Sequence, residues 1–195
     1  MSLEIVQAGH PVLRQAARPV SSDELRSREI RDLIENLRET MREAPGVGLA
    51  APQVGTPLQI AVIEDREEYQ KELSAQQLAL RERQPVPFHV IVNPKLEKAP
   101  EREVELYEGC LSLAGFLAVV PRARSVRVEC LDEKGKLRKI EASGWYARIL
   151  QHEIDHLGGT LYFDKMQPRS LTSMMHWNEY WKGKSIEEIR SLLGF

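Results

Sequence analysis

The chain has 195 residues, 42% apolar and 29% charged, the balance of an ordinary globular protein long enough to bury a sizeable core. Lys plus Arg number 27 and Asp plus Glu 29, so the net charge of -2 gives no electrostatic reason for nucleic acid or an anionic membrane as partner. Two cysteines do not make a disulfide framework, and no apolar run is long enough to cross a bilayer.

The N-terminus, MSLEIVQAGHPVLRQ, shows no basic stretch followed by an apolar run, so no secretory signal is visible. It lacks the Arg/Ser-rich look of a transit peptide, although a processed organelle chain would read the same way. The expectation is one domain over residues 1–195 in a reducing compartment. Residues 1–20 read as an extended arm broken by Pro11 and Pro19. A helix is predicted from Asp23 to Ala44. Ser21 and Glu24 stand at capping-box spacing, and Ile30, Leu33, Ile34, Leu37 and Met41 recur at helical spacing. Pro45 and Gly46 end it.

Gly46–Gly55 reads as a small-residue loop, and Leu58–Ile63 as a strand. The charged, Gln-rich stretch Glu64–Gln84 reads as a surface excursion with some helix. Phe88–Val92 is a strand, and Pro94–Arg102 a turn-rich connection. Further strands are predicted at Glu103–Tyr107, Phe116–Val120 and Ser125–Leu131. In the last, Val126, Val128 and Cys130 alternate with Arg127 and Glu129. Asp132–Gly135 is a turn, with Leu137–Glu141 as the hairpin partner. A second helix runs from Gly144 to Leu157, between Ser143 as N-cap and Gly158 as stop. A third, Ser185–Leu193, opens with Ser185 and Glu188 at capping-box spacing. Strands around one central helix, with an N-terminal and a C-terminal helix, make the fold class α+β.

The most informative residues are His152-Glu153-Ile154-Asp155-His156. On a helix, His156 lies about 40° round from His152 and Glu153 about 100°. Two imidazoles on one face can hold an ion, and the neighbouring carboxylate can serve a water activated there. Ile149, Leu150, Ile154 and Leu157 mark the helix as largely buried, where two histidines and two acids would be costly without a partner. A catalytic site needs a third protein ligand and an open position. One known extension of the pattern would place a histidine at 162, where this chain has Tyr162. Glu179 and Cys110 are the remaining candidates. Cys130, on the apolar side of a strand, reads as a small buried hydrophobe. Cys110 follows a glycine at a strand end, in Glu108-Gly109-Cys110-Leu111-Ser112. Gly46-Val47-Gly48-Leu49-Ala50-Ala51-Pro52-Gln53 allows close backbone approach to a bound chain, and it lacks the ending of a phosphate loop. His10, His89 and His176 read as structural or solvated.

Taken together, GVGLAAPQ, EGCLS and HEIDH, in this order, resemble the signature motifs of the peptide deformylases, over about His10 to Lys165. The resemblance implies an α+β fold whose antiparallel strands surround the HEIDH helix. It implies removal of the formyl group from the N-terminal methionine of nascent proteins, with release of formate. It implies Cys110, His152 and His156 as metal ligands with water in the open position, and Glu153 as general acid and base. Gln53 and the backbone N–H of Leu111 would stabilise the oxyanion. Val47, Gly48 and Gly109 would bind the substrate backbone as an added strand. Trp145 and Ile149 would wall the methionine pocket. Fe(2+) is the ion implied, with Zn(2+), Ni(2+) or Co(2+) compatible with one thiolate and two imidazoles. Formylmethionyl peptides and nascent chains near the ribosome are the implied partners, and the tail aromatics Trp177 and Trp181 allow a homodimer.

The chain departs from the common bacterial pattern at Ala114-Gly115-Phe116-Leu117, where many members have a proline and later an arginine. With Ala142-Ser143-Gly144-Trp145 and the insertion before Phe88, this is closer to the organelle-type subclass. The implied location is a bacterial cytoplasm or, for a mature chain, a mitochondrion or plastid. Two other readings compete. A zinc metallopeptidase would use Glu179 as third ligand. A metal-stabilised peptide-binding module would not need Glu153.

Overall fold

The structure is a computed structural model and describes residues 2–99 and 103–195. The N-terminal arm is interrupted by a 3-10 turn over Pro11–Arg14 that buries Val12 and Leu13, and after it α1 (Ser22–Leu25) and α2 (Arg28–Glu43) stand where one helix is predicted. Ser21 and Glu24 form the expected capping box. The helix breaks after Leu25 because Ser27 Oγ accepts from the Ile30 amide at 3.2 Å, starting a second N-terminus. Ile30, Ile34, Leu37 and Met41 are buried. Leu37 and Met41 have 0% exposure, and burial of such side chains contributes roughly 1.5–3 kcal/mol each.

The chain continues through β1 (Gly48–Ala50), a 3-10 turn (Ala51–Val54), β2 (Ile60–Asp65) and α3 (Ala75–Arg81). Then come β3 (Val86–Lys98), β4 (Glu103–Cys110), β5 (Leu113–Ala123), β6 (Ser125–Leu131) and β7 (Leu137–Ser143). Helix α4 (Gly144–Leu157) follows, with β8 (Thr172–Ser173), α5 (Met174–His176) and α6 (Ile186–Leu193) closing the chain. All named strands pair antiparallel, in the orders β1-β2-β3-β6-β7 and β4-β5-β8.

The pleat of β2 explains its uninterrupted apolar run. Ile60 and Val62 face α2, together with Leu49, Val90 and Val92. Ala61 and Ile63 face α4, together with Ile91, Val126, Val128 and Cys130. A strand covered on both faces needs no polar alternation. Helix α4 also meets the second sheet. Arg148 Nη1 donates to the Val120 carbonyl at 2.9 Å, and the Gln151 side chain bonds both backbone groups of Ala123. Strands therefore surround α4, as α+β requires.

Four further expectations need correction. Gly48–Ala50, read as loop, is an edge strand paired with Ala61–Ile63. Three residues are too few to show a period. The turn-rich connection from Pro94 is strand as far as Lys98, and residues 100–102 lie outside the described residues. A register shift between Val92 and Lys95 absorbs Pro94, with Asn93 at φ 50. Asn93 pins this bulge by bonding both backbone groups of Val20 at 2.8 Å. The charged excursion starts after Asp65, since Glu64 and Asp65 are buried in β2. Ser143 precedes α4 without a side-chain capping bond. Among the described residues, no helix is long and apolar enough to cross a membrane.

Candidate metal centre and active-site cleft

His152 and His156 lie one turn apart on α4, their rings 5.0 Å apart and edge to face. Cys110 closes β4, where the register to β5 shifts between Gly109 and Cys110. That shift turns the sulfur toward α4, and Sγ lies 3.3 Å from His156 Nε2. One ligand atom from each of Cys110, His152 and His156 lies within 4.8 Å of the others. Two ligands bound to one ion at roughly 2.0 and 2.3 Å and a tetrahedral angle stand about 3.5 Å apart, so the donor set fits a divalent metal. His156 Nδ1 and Glu153 Oε2 are buried without partners. Glu179 is exposed in the terminal segment, outside this group.

Glu108 holds the centre from behind. Its Oε2 accepts from His152 Nδ1 at 3.1 Å, leaving Nε2 of that ring free to ligate. Arg122 donates to both Glu108 oxygens at 2.9 Å, and Arg148 Nη1 donates to Oε1 at 2.6 Å. Arg122 also reaches Asp155, which Lys165 contacts at 2.5 Å. Burial alone would raise the Glu108 pKa, but the bonds from His152 and Arg122 outweigh it and hold the carboxyl ionised far below its usual range. Burial pulls His152 down, yet its bonds to Cys110 and Glu108 carry it well above the usual histidine value. Burial lowers His156, with the charges of His152 and Arg122 adding to it. Glu153 has no cation bonded to it. Burial pushes its carboxyl up to about 7 against the opposing pull of His152.

Gly48 explains how that carboxyl is accommodated. A Cβ there would sit 2.3 Å from Glu153 Oε1, so only glycine lets the acid lie against β1. Gln53 is buried. Its Oε1 accepts from the Ala50 amide at 2.9 Å, while Nε2 donates to Ser112 Oγ at 3.2 Å and lies 3.6 Å from Cys110 Sγ. Val47, Gly48, Gln53, Gly109, Cys110, Leu111, Trp145, Ile149, His152 and Glu153 all line one cleft of about 490 Å³, and His156 sits behind it. Every site residue read from the sequence therefore falls in one place. No signal in the sequence assigns a role to Glu108 or Arg148, nor a place in the cleft to Arg83, Phe116, Leu117 and Met174, which also line it. Only Glu108 stood inside a recognised motif. The acceptors and neighbours that give the others meaning come from distant strands.

The two thiols differ as expected. Both are free, but Cys130 is 2% exposed and burial raises its pKa, whereas Cys110 borders the cleft. In metal-free native protein a disulfide reagent should titrate Cys110 alone, with Cys130 reacting only in denaturant. A divalent ion should protect Cys110. Equal reaction of both native thiols would contradict the arrangement.

The family model for polypeptide deformylase matches residues 2–171. The peptide deformylase 1A, chloroplastic, of Solanum lycopersicum is 48% identical over 88% of this chain and 62% of its own length. The chain thus spans less than two-thirds of that relative. Peptide deformylase 3 of Streptomyces avermitilis is 46% identical over 99% of the chain and 84% of its own length. The Met-Ala-Ser-bound crystal structure of class I type b peptide deformylase from Acinetobacter baumannii superposes with a TM-score of 0.76 at 32% identity, covering 85% of this chain and 99% of that one.

Proposed function

Because the chain belongs to the polypeptide deformylase family, we propose that it removes the formyl group from the N-terminal methionine of newly made proteins and releases formate. The observation that carries this reading is the meeting, at the floor of one cleft, of a sulfur, an imidazole and a buried carboxyl with an unpartnered oxygen, with the second imidazole directly behind. Cys110, His152 and His156 would hold one divalent ion. When bound, such an ion supplies Lewis acidity, which makes water nucleophilic near neutral pH.

The chain's own groups then have defined tasks. Glu153, whose carboxyl burial raises to about 7, accepts the proton of the attacking water. It returns that proton to the methionine nitrogen as the C–N bond breaks, and the remaining proton of the formic acid passes to the freed amine or to solvent, so that formate and the peptide leave. Gln53 Nε2 and the Leu111 N–H stabilise the negative charge that grows on the formyl oxygen. Glu108 fixes the His152 ring by its bond to Nδ1. Val47, Gly48 and Gly109 bond the extended peptide backbone, and Trp145 and Ile149 wall the methionine side chain. Iron is the ion we assign. We place the enzyme near ribosomes, in a bacterial cytoplasm or an organelle, acting as one domain.

Formyl-Met-Ala-Ser should yield formate and intact Met-Ala-Ser. Cleavage inside the tripeptide instead would favour a peptidase and sink this reading. Gly48→Ala should displace the Glu153 carboxylate, lowering kcat by roughly 10²-fold or more with metal content unchanged. Full activity of a folded Gly48→Ala protein would show that the close approach is dispensable.

A further inference from the structure

The segment between β2 and β3 contributes nothing to the metal centre, yet it sends one side chain into the cleft. Arg83 lines the same cavity as Trp145 and Ile149. Its guanidinium is held on two sides. Nε and Nη2 donate to the two oxygens of Asp65 at 2.7 and 2.8 Å. The Asp65 side chain has 0% exposure and that of Arg83 only 9%. The guanidinium carbon also lies 5.1 Å from the centre of the Trp145 ring, and that of Arg81 lies 5.3 Å from it. Cations at this distance over an indole attract it, more strongly where water is excluded.

The backbone holds this arrangement in place. An added Cβ on Gly144 would lie 2.4 Å from Glu82 Cβ, so the segment passes directly against the residue before Trp145. Glu82 is tied in turn to Arg124, whose Nε donates to its Oε1 at 2.7 Å. Arg83 cannot swing away without leaving Asp65 as a buried, unpaired charge. Trp145 cannot rotate outward without losing both stacked cations. A flexible, solvated arginine would give a soft wall, whereas this one is fixed.

We propose that Arg83 is a specificity-determining residue: with Trp145 it forms a rigid wall of the cleft that limits the size of the N-terminal side chain admitted beside the metal centre. This rests on the deformylase reading above. It makes the insertion, rather than the motif helix alone, the element that sets substrate choice.

The test is the ratio of kcat/KM for formyl-Met-Ala-Ser to that for formyl-Phe-Ala-Ser, measured on the metal-loaded protein. Arg83→Ala should lower the ratio about tenfold or more, the scale of discrimination by a pocket wall. The phenylalanine peptide should gain, and the loss for the methionine peptide should fall on KM rather than kcat. Since Arg83→Ala strands Asp65, the double variant Asp65→Asn/Arg83→Gln provides the same opening without a buried charge, and it should shift the ratio the same way. Arg83→Lys, which keeps the charge but not the flat stacking surface, should fall between. A folded, active double variant with the wild-type ratio would overturn the inference and leave the deformylase reading standing. Wild-type protein that releases formate from neither peptide would remove both.

Discussion

Replacement of Glu153 by glutamine should lower formate release by roughly 10²–10⁴-fold while metal content stays as in the wild type, the loss typical of removing a general acid and base. Glutamine keeps the volume of a side chain that is 3% exposed, so the cleft should persist. The same substitution makes a separate prediction for stability. Burial raises the folded-state pKa of Glu153 from 4.5 to about 7. Ionising that acid therefore costs the folded state stability as pH rises from about 4.5 to about 7. At 1.36 kcal/mol per pH unit the cost is at most ~3 kcal/mol. Metal-free Glu153→Gln protein should thus be more resistant to denaturant than metal-free wild type at pH 7, and the two should converge near pH 4.5. Chemical denaturation at both pH values checks this. A glutamine variant that retains near wild-type turnover would leave Glu153 without its role, whatever its stability.

Glu108→Ala should cause the largest loss of stability. Glu108, Arg122 and Arg148 have side chains only 3–4% exposed. Removal of the shared carboxylate leaves Arg122 with Asp155, and Arg148 with the Val104 and Val120 carbonyls. Deleting one member of a buried ion cluster typically costs about 3–5 kcal/mol. For a chain of this size that lowers Tm by roughly 6–20 °C. Loss of the bond to His152 Nδ1 should also weaken metal binding about 10–100-fold. Glu108→Gln keeps an acceptor in place and should do less damage on both counts. Thermal melts of metal-free protein, paired with competition against a chelator, separate the two effects. If Tm falls and metal affinity does not, the carboxylate supports the fold and leaves the ligand alone.

The chemistry was far more legible in the sequence than its support. HEIDH could be read because a helix has a fixed period, so the spacing alone puts both imidazoles and the acid on one face. Cys130 could be dismissed because alternation in β6 shows which side of the strand it occupies. Cys110 could only be offered beside Glu179, since no local rule brings a strand end to a helix. Resemblance favoured it, and the register shift after Gly109 supplies the geometry. Gly48 was read as a residue that allows a ligand close. What it first allows is the approach of Glu153, a residue more than a hundred positions away. Strand β1 escaped notice because three residues are too few to carry a periodic signal. The break before α2 escaped because Ser27 caps a helix already predicted to be running. Arg83 lay in a stretch whose composition is that of a solvated surface. Its meaning depends on Asp65 and Trp145, which no spacing in the sequence connects to it.

X-ray absorption at the metal edge of zinc-loaded protein addresses the arrangement most directly. One sulfur at about 2.3 Å with nitrogen ligands at about 2.0–2.1 Å is the spectrum expected, and Cys110→Ser should abolish the sulfur shell. A first shell of nitrogen and oxygen alone, identical in the wild type and in Cys110→Ser, would contradict the account at its root.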